Sequence, residues 1–293
     1  MSQLYFGYGS NLNLSDLRDY EKRYFHTTRF VDSLKILDGI YFLPDYELNF
    51  PVYSTSRNGG VLNAYPNFGH VVSGKLFQIT DSSLLDRKEG SPNFYQKIPI
   101  KVISEKGELK EAFTYVVLNT KPNDYVKPNP KYVEVVSHGM DDFHISSKYQ
   151  WLQENLLNAS ENKQTKFLDQ VFVYGTLLEG ECREKPMNDI SSSKSKTKIL
   201  GKMYDIGSYP AITNGDNEIH GELHMANDPK SIMTLDCIEG FHGYGDSSLY
   251  HRKVVTCDGK LCWTYFWNNS VENLSEIESG NWKNRHTNKF ENL

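Results

Sequence analysis

The chain has 293 residues, a length that favours two domains over one. Its net charge is −5 with acids and bases interspersed, so it carries no basic footprint for nucleic acid, and no apolar run approaches the ~20 residues of a membrane helix. The N-terminus shows no signal-peptide pattern, and the four cysteines (Cys182, Cys237, Cys257 and Cys262) lack zinc-type spacing, so the expectation is free thiols in a reducing compartment, the cytoplasm.

In chain order, the first element is an apolar strand in LYFGYGSNL (Leu4 to Leu12) that runs straight into Tyr-Gly-Ser. Val71 to Ile79 alternates and is rich in β-formers, which predicts a strand. SSLLDRKEG reads as a short helix, with Asp81 or Ser82 able to cap its start and Gly90 able to end it. FYQKIPIKVI and EAFTYVVL read as a strand pair around Glu105-Lys106-Gly107, and SKYQWLQENLL (Ser147 to Leu157) as a helix. Residues 158–167 are polar and aperiodic, which marks a linker. A second apolar strand, VFVYGTLL (Val171 to Leu178), again runs into Tyr-Gly and a hydroxyl residue. SSSKSKTK (Ser191 to Lys198) reads as a polar surface loop. EIHGELHM (Glu218 to Met225) parallels VVSGKLFQI, and Asp228-Pro229 opens the helix SIMTLDCIEG. YHRKVVTC and LCWTYFWN pair around the hairpin signal Asp258-Gly259. The predicted organisation is a domain at 1–157, a linker at 158–167, a domain at 168–279 and a loose polar tail at 280–293.

Two Tyr-Gly turns and two Leu-Asp-x-x-Glu-Gly segments (Leu85 to Gly90 and Leu235 to Gly240) recur in the same order, which is the mark of a duplicated unit. A strand ending in Tyr-Gly before a helical turn exposes unpaired backbone N–H groups, a small anion receptor. Gly9 and Gly175 suit a tight turn, Ser10 and Thr176 add a hydroxyl, and no lysine inside either loop makes it a P-loop. Glu89 and Glu239 stand just before a helix-ending glycine. The negative end of the helix dipole and nearby leucines would both push such a carboxyl towards the proton-shuttling range. The competing reading of each glutamate, a solvated helix end, holds for either one taken alone. His220 and His224 have the outer spacing of a zinc pair but fall on a strand without the accompanying Glu, so they read as strand-face histidines. Cys237 reads as a buried structural thiol, and His138 and His144 as packing or surface residues.

These segments resemble the γ-glutamylcyclotransferase superfamily. FGYGSNL, GGVLNAYP, VVSGKLFQI, LLDRKEG, FYQKIPIKV and PNPKYVEVVSHGMDDFHISSKYQWLQ are similar to the larger branch, which acts on γ-glutamyl amino acids or glutathione. VFVYGTLLEG, YDIGSYPAI, IHGELHM and TLDCIEG are similar to the AIG2-like, γ-glutamylamine cyclotransferase branch. The resemblance implies an α+β fold of two tandem small mixed β-barrels with flanking helices. It implies a reaction in which a glutamate relays a proton while the α-amine of a γ-glutamyl compound attacks its own γ-carbonyl, giving 5-oxoproline and a free amine without metal or cofactor. Carried over by position, Glu89 and Glu239 are the acid/base groups. Tyr8, Gly9, Ser10, Asn11 and Leu12, with Tyr95, Tyr115 and Tyr132, bind substrate in the first half. Tyr174, Gly175, Thr176 and Leu177, with Tyr250 and Tyr265, do so in the second. RNGGVLNAYP matches the family loosely, and FHGYGDSSLY after Glu239 is an insertion that could reshape the second pocket. Two alternatives stand beside this reading: one barrel, more readily the second, serves as a non-catalytic binding or regulatory module, or the protein removes a γ-glutamyl protecting group from a biosynthetic intermediate. The implied partner is a small γ-glutamyl substrate, with no nucleic acid and no membrane. The leaving amine, the oligomeric state and the pathway are not read from the sequence.

Overall fold

A computed structural model describes residues 2–245 and 247–285. The chain divides into two compact units, the first built from residues up to 104 and 109–167, the second from 105–108 and 168 onward.

In the first unit the elements are β1 (Gln3–Gly7), α1 (Leu14–Phe25), α2 (Arg29–Ser33), β2 (Lys35–Ile36), β3 (Tyr41–Ser54), β4 (Gly59–Ile79), α3 (Ser83–Lys88), β5 (Gln96–Ser104), β6 (Leu109–Val116), α4 (Pro130–Asp142), α5 (Ile145–Lys148) and α6 (Gln150–Ser160). The strands lie in the order β1-β6-β5-β3-β4-β2, and β1 also pairs with β4, which closes five of them into a barrel. Closure removes the two free edges an open sheet would present. Phe6, Phe42, Leu76, Phe77 and Val102 fill the core and are all buried.

The second unit contains β7 (Gln170–Val173), α7 (Glu184–Ile190), β8 (Ser191–Asp205), β9 (Pro210–Ala226), α8 (Pro229–Glu239), β10 (Tyr250–Cys257), β11 (Lys260–Trp267) and β12 (Ser275–Glu276). Its sheet runs β10-β11-β7-β9-β8-β12. The ladders repeat those of the first unit. β1 is parallel to β6 through Tyr5 and Phe113, as β7 is to β11 through Val171 and Trp263. Gly7 faces Lys75 across β1 and β4, as Val173 faces Glu222 across β7 and β9. Both sheets are locked by a glycine at the same place. A Cβ on Gly74 would sit 2.3 Å from the Gly7 carbonyl oxygen, and one on Gly221 would sit 2.2 Å from that of Val173.

Three stretches differ from the sequence reading. Ser191–Lys198 is part of β8, not a loop, and pairs with β9 except at an irregularity between Ser191 and Ser193. Its far neighbour β12 meets only Tyr204 and Asp205, so this half of β8 is a sheet edge, and edge strands carry serine and lysine to discourage further pairing. The expected linker begins inside α6 and is tied down beyond it: the Thr165 hydroxyl donates to Glu47 at 2.7 Å and the Lys166 N–H donates to Asn155 at 2.8 Å. The tail is packed as far as Arg285, since Trp282 is only 1% exposed and the Gly280 carbonyl accepts the His220 N–H at 2.9 Å. Residues 286–293 of that predicted tail lie outside the described residues.

Candidate active sites

In each unit the short helix before the glutamate hangs off the sheet beside the Tyr-Gly turn. The Asp81 carboxylate accepts the Ser83 N–H at 2.9 Å at the start of α3, one residue before the Ser82 cap position. Asp228 caps α8 by accepting the Ser231 N–H at 2.8 Å, with Pro229 in the first turn. Gly90 and Gly240 end the two helices with φ of 63° and 62°, a left-handed conformation that favours glycine. These caps set where Glu89 and Glu239 leave the helix.

Behind each glutamate lies the same chain of hydrogen bonds. Tyr8 donates to the Tyr115 carbonyl at 2.8 Å and Tyr115 donates to Asp86 at 2.6 Å. Tyr174 donates to the Tyr265 carbonyl at 2.5 Å and Tyr265 donates to Asp236 at 2.8 Å. Tyr95 donates to the Leu62 carbonyl at 2.5 Å, as Tyr250 does to the Pro210 carbonyl at 2.6 Å. The Tyr8 hydroxyl also accepts the Ala64 N–H, and that of Tyr174 accepts the Ile212 N–H. Burial raises the pKa of every one of these tyrosines, so the phenols stay neutral and act as donors. The aspartate of the repeated Leu-Asp-x-x-Glu-Gly phrase is therefore the anchor of the network. Sequence reasoning passes over it, although the repeat itself contains the signal.

The first cavity, of about 570 Å³, is lined by Ser10, Glu89, Tyr95 and Tyr132 among the sequence-derived residues. It also takes in Asp16 and Tyr20 from α1, Arg57 from the β3–β4 turn, and Lys88, none of which the sequence reading singles out. Arg57 grips Asp16 through two bonds of 2.9 and 2.6 Å, and its guanidinium stands 5.1 Å from the centre of the Tyr132 ring. Burial opposes the charge on Asp16, but the Arg57 hydrogen bond and the surrounding cations outweigh it and lower its pKa. Tyr132 accepts the Leu62 N–H at 3.3 Å, and burial pushes its hydroxyl up to about 12. Tyr8, Gly9, Asn11, Leu12 and Tyr115 do not line this cavity and correct the expectation that they touch substrate. Leu12 is fully buried, Tyr8 and Tyr115 spend their hydroxyls on the network above, and Asn11 is 5% exposed with its amide on Glu89 at 2.8 Å. Gly9 is not forced by crowding, since a Cβ there would make only ordinary contact with Leu62. What fixes the turn is α4: a Cβ on Gly139 would lie 2.6 Å from the Asn13 nitrogen, so only glycine lets the helix cross this closely.

The second cavity, about 160 Å³, is lined by all seven sequence-derived residues of its half: Tyr174, Gly175, Thr176, Leu177, Glu239, Tyr250 and Tyr265. Gly175 is required there, because a Cβ would meet Pro210 at 2.7 Å. Arg183, Tyr209, Pro210 and Leu249 also line it. Leu249 comes from the FHGYGDSSLY insertion, which folds back so that the Leu249 N–H donates to the Gly240 carbonyl at 3.0 Å. No side chain among the described residues donates a hydrogen bond to Glu239. Burial lifts its pKa to about 7, against a smaller opposing pull from the Arg183 cation. Asp236 anchors this half more strongly than Asp86 does the other: the fully buried Arg252 donates to it at 2.8 Å and lies over the Trp263 ring at 4.6 Å.

Other candidates resolve against chemistry. His220 is exposed and His224 is buried against Glu222 and Ser191, and no group of three metal-ligating side chains occurs among the described residues. Cys237 is exposed, contrary to the buried reading, because it points off the outer face of α8. His138 and His144 are surface residues. No helix among the described residues is long and apolar enough to cross a membrane.

Comparison with known proteins follows the same division. The model of the family "Gamma-glutamyl cyclotransferase, AIG2-like" matches residues 171–284, and that of the "AIG2-like family" matches residues 71–152. The γ-L-glutamyl-butirosin B γ-glutamyl cyclotransferase of Niallia circulans is 31% identical over 123 residues, which span 40% of this chain and 77% of that protein. The γ-glutamylcyclotransferase family protein ytfP of Citrobacter rodentium is 30% identical over 123 residues, 40% of this chain and 96% of its own length. A solved structure titled "Gamma-glutamyl cyclotransferase" aligns with a TM-score of 0.44 at 24% identity, covering 54% of this chain and 87% of the other. With two family matches in tandem and relatives covered over most of their own length, the chain belongs to the γ-glutamylcyclotransferase family.

Proposed function

We propose that each unit cyclises a γ-glutamyl compound to 5-oxoproline and a free amine, with Glu89 and Glu239 as the acid/base groups. The observation that carries this reading is the paired geometry: in both units one helix-end carboxyl faces a cavity beside a Tyr-Gly-hydroxyl turn, backed by the same tyrosine–aspartate network. The substrate already holds nucleophile and electrophile. The glutamate takes a proton from the α-ammonium, the amine nitrogen bonds to the γ-carbonyl carbon, and the bond from that carbon to the leaving nitrogen breaks as the glutamate returns the proton to it. The second proton of the new lactam nitrogen then passes through the glutamate to the released amine, which departs as an ammonium. Holding the chain curled supplies an effective molarity on the order of 10⁵–10⁸ M, and a placed acid/base adds roughly 10²–10⁴ in rate. Ser10, at the start of the Ser10–Leu12 turn, lines the first cavity, and its backbone N–H has no partner inside the turn, which suits the glutamyl carboxylate. A carboxyl with a pKa of about 7, as at Glu239, suits a shuttle that must both accept and return a proton.

The cavities differ in bore, which supports larger γ-glutamyl amino acids, glutathione or γ-glutamylated biosynthetic amines as substrates of the first site, and small γ-glutamylamines as those of the second. No metal or cofactor takes part in this scheme, and the partner is a small molecule in the cytoplasm. The test is chromatographic detection of 5-oxoproline from a panel of these substrate classes with Glu89→Gln, Glu239→Gln and the double variant. The expected result is loss of one substrate subset in each single variant and of all release in the double. Release that persists in the double variant overturns the assignment, and full retention of activity in Glu239→Gln makes the second unit a binding module.

A further inference from the structure

The two sites hold their glutamates by different means, and the difference lies in two positions. Asn11 in the first unit corresponds to Leu177 in the second, and Lys88 corresponds to Ile238. Both protons of the Asn11 amide are committed: Nδ2 donates to the Tyr5 hydroxyl at 2.7 Å and to Glu89 Oε1 at 2.8 Å. Its carbonyl oxygen accepts from Lys88 Nζ at 2.7 Å, and Lys88 also reaches Ser10 Oγ at 3.3 Å and lies over the Tyr20 ring at 5.6 Å. A primary amide presents acceptor and donors on opposite sides. The flipped amide would set its oxygen against the Glu89 carboxylate and its NH₂ against an ammonium, two repulsions in a buried site. The lysine therefore selects the orientation that gives Glu89 a donor.

We infer that Lys88 is a positioning residue for the first site, acting through Asn11 to fix the Glu89 carboxylate at the cavity wall. The inference rests on the reading of Glu89 as the acid/base group. The rival role for Lys88, which itself lines the cavity, is direct contact with substrate. Other titratable groups around Glu89 are Tyr5 and Tyr8 beside β1, Tyr20 on α1, Arg57 with its partner Asp16, Tyr95, Tyr115 on β6 and Tyr132 on α4. Burial lowers the pKa of Lys88 while Glu89 and Asp16 oppose that fall, so its charge depends on these carboxylates.

The test uses the full chain carrying Glu239→Gln, so that only the first site turns over. 5-Oxoproline release is measured as kcat and KM for Lys88→Met, Asn11→Leu and the double variant. Loss of a charge-assisted bond predicts a fall in kcat of about 10- to 100-fold for Lys88→Met with KM little changed. Because the lysine acts through the amide, the double variant falls no further than Asn11→Leu alone. Asn11→Ser replaces Asn11→Leu in the cycle if the leucine variant does not fold. A rise in KM with kcat retained, or additive losses in the cycle, each overturn the inference. An absence of all release in the Glu239→Gln parent would instead reject the first site as an enzyme.

Discussion

Replacing Glu239 with glutamine should stabilise the second unit in alkaline but not in acidic solution. Burial raises the folded carboxyl from its ordinary 4.5 to about 7. A folded pKa above the unfolded one means that the folded form binds its proton more tightly. Stability from this group is then fully present below pH 4.5 and is lost as pH rises through 7. The difference corresponds to about 3 kcal/mol at its limit. Because the carboxyl faces a cavity that water reaches, screening reduces this to about 1–3 kcal/mol. Glutamine keeps the shape and cannot ionise, so the variant escapes the loss. Three of the four tryptophans, Trp263, Trp267 and Trp282, belong to the second unit. In a Trp151→Phe background, tryptophan fluorescence during urea unfolding reports that unit alone. Comparing chains with and without Glu239→Gln at pH 4.5, 6 and 8 then reads the gap directly, about the 4.5-to-7 window of this carboxyl. A gap that does not widen across that range refutes the argument that burial sets this group.

The same group predicts that second-site turnover, measured in Glu89→Gln protein, falls as pH drops through about 7; a profile that stays flat well into acid contradicts it. Arg183→Met removes the cation that opposes this rise, so the acidic limb of the same profile should move to higher pH. Asp236→Asn removes the carboxylate that accepts from the buried Arg252 and should cost about 3–5 kcal/mol by urea unfolding, with second-site activity lost and first-site activity kept. Gly221→Ala drives a Cβ to 2.2 Å from the Val173 carbonyl and should lower stability by about 1–3 kcal/mol or prevent folding. Gly245→Ala, with nothing within 4 Å and no positive φ, should change stability far less in the same assay.

The duplicated order of strand, turn, helix and glutamate is legible because each piece is local: Tyr-Gly at a strand end, Asp-Pro at a cap, glycine at a helix stop. All seven residues expected in the second site line one cavity, since its wall comes from those same local segments. The first site is less legible. Arg57 reaches it from a turn 32 positions before Glu89, and no local pattern marks a residue whose partner, Asp16, lies on another element. Lys88 sits in plain view inside the repeated phrase, but its role emerges only once Asn11 is brought opposite. Asn11, Leu12 and Tyr115 invite reading as substrate contacts through their place in the same segments. Side-chain direction, which alternates along a strand and rotates through a turn, sends them to the other side of the wall. Ser191–Lys198 lacks the apolar alternation of a strand because most of its residues are exposed at a sheet edge.

The tyrosine–aspartate network satisfies its own donors and acceptors from within the unit and leaves the cavity wall in front of it free to vary. The chain therefore contains a natural exchange experiment. Grafting the Leu177 and Ile238 side chains into the places of Asn11 and Lys88, or the reverse, alters how a proton is held while Tyr8 and Tyr115, or Tyr174 and Tyr265, keep the hydrogen bonds of the network. One polypeptide thus offers two interchangeable linings on a common chassis, a starting point for engineering cyclisation catalysts matched to chosen pH ranges.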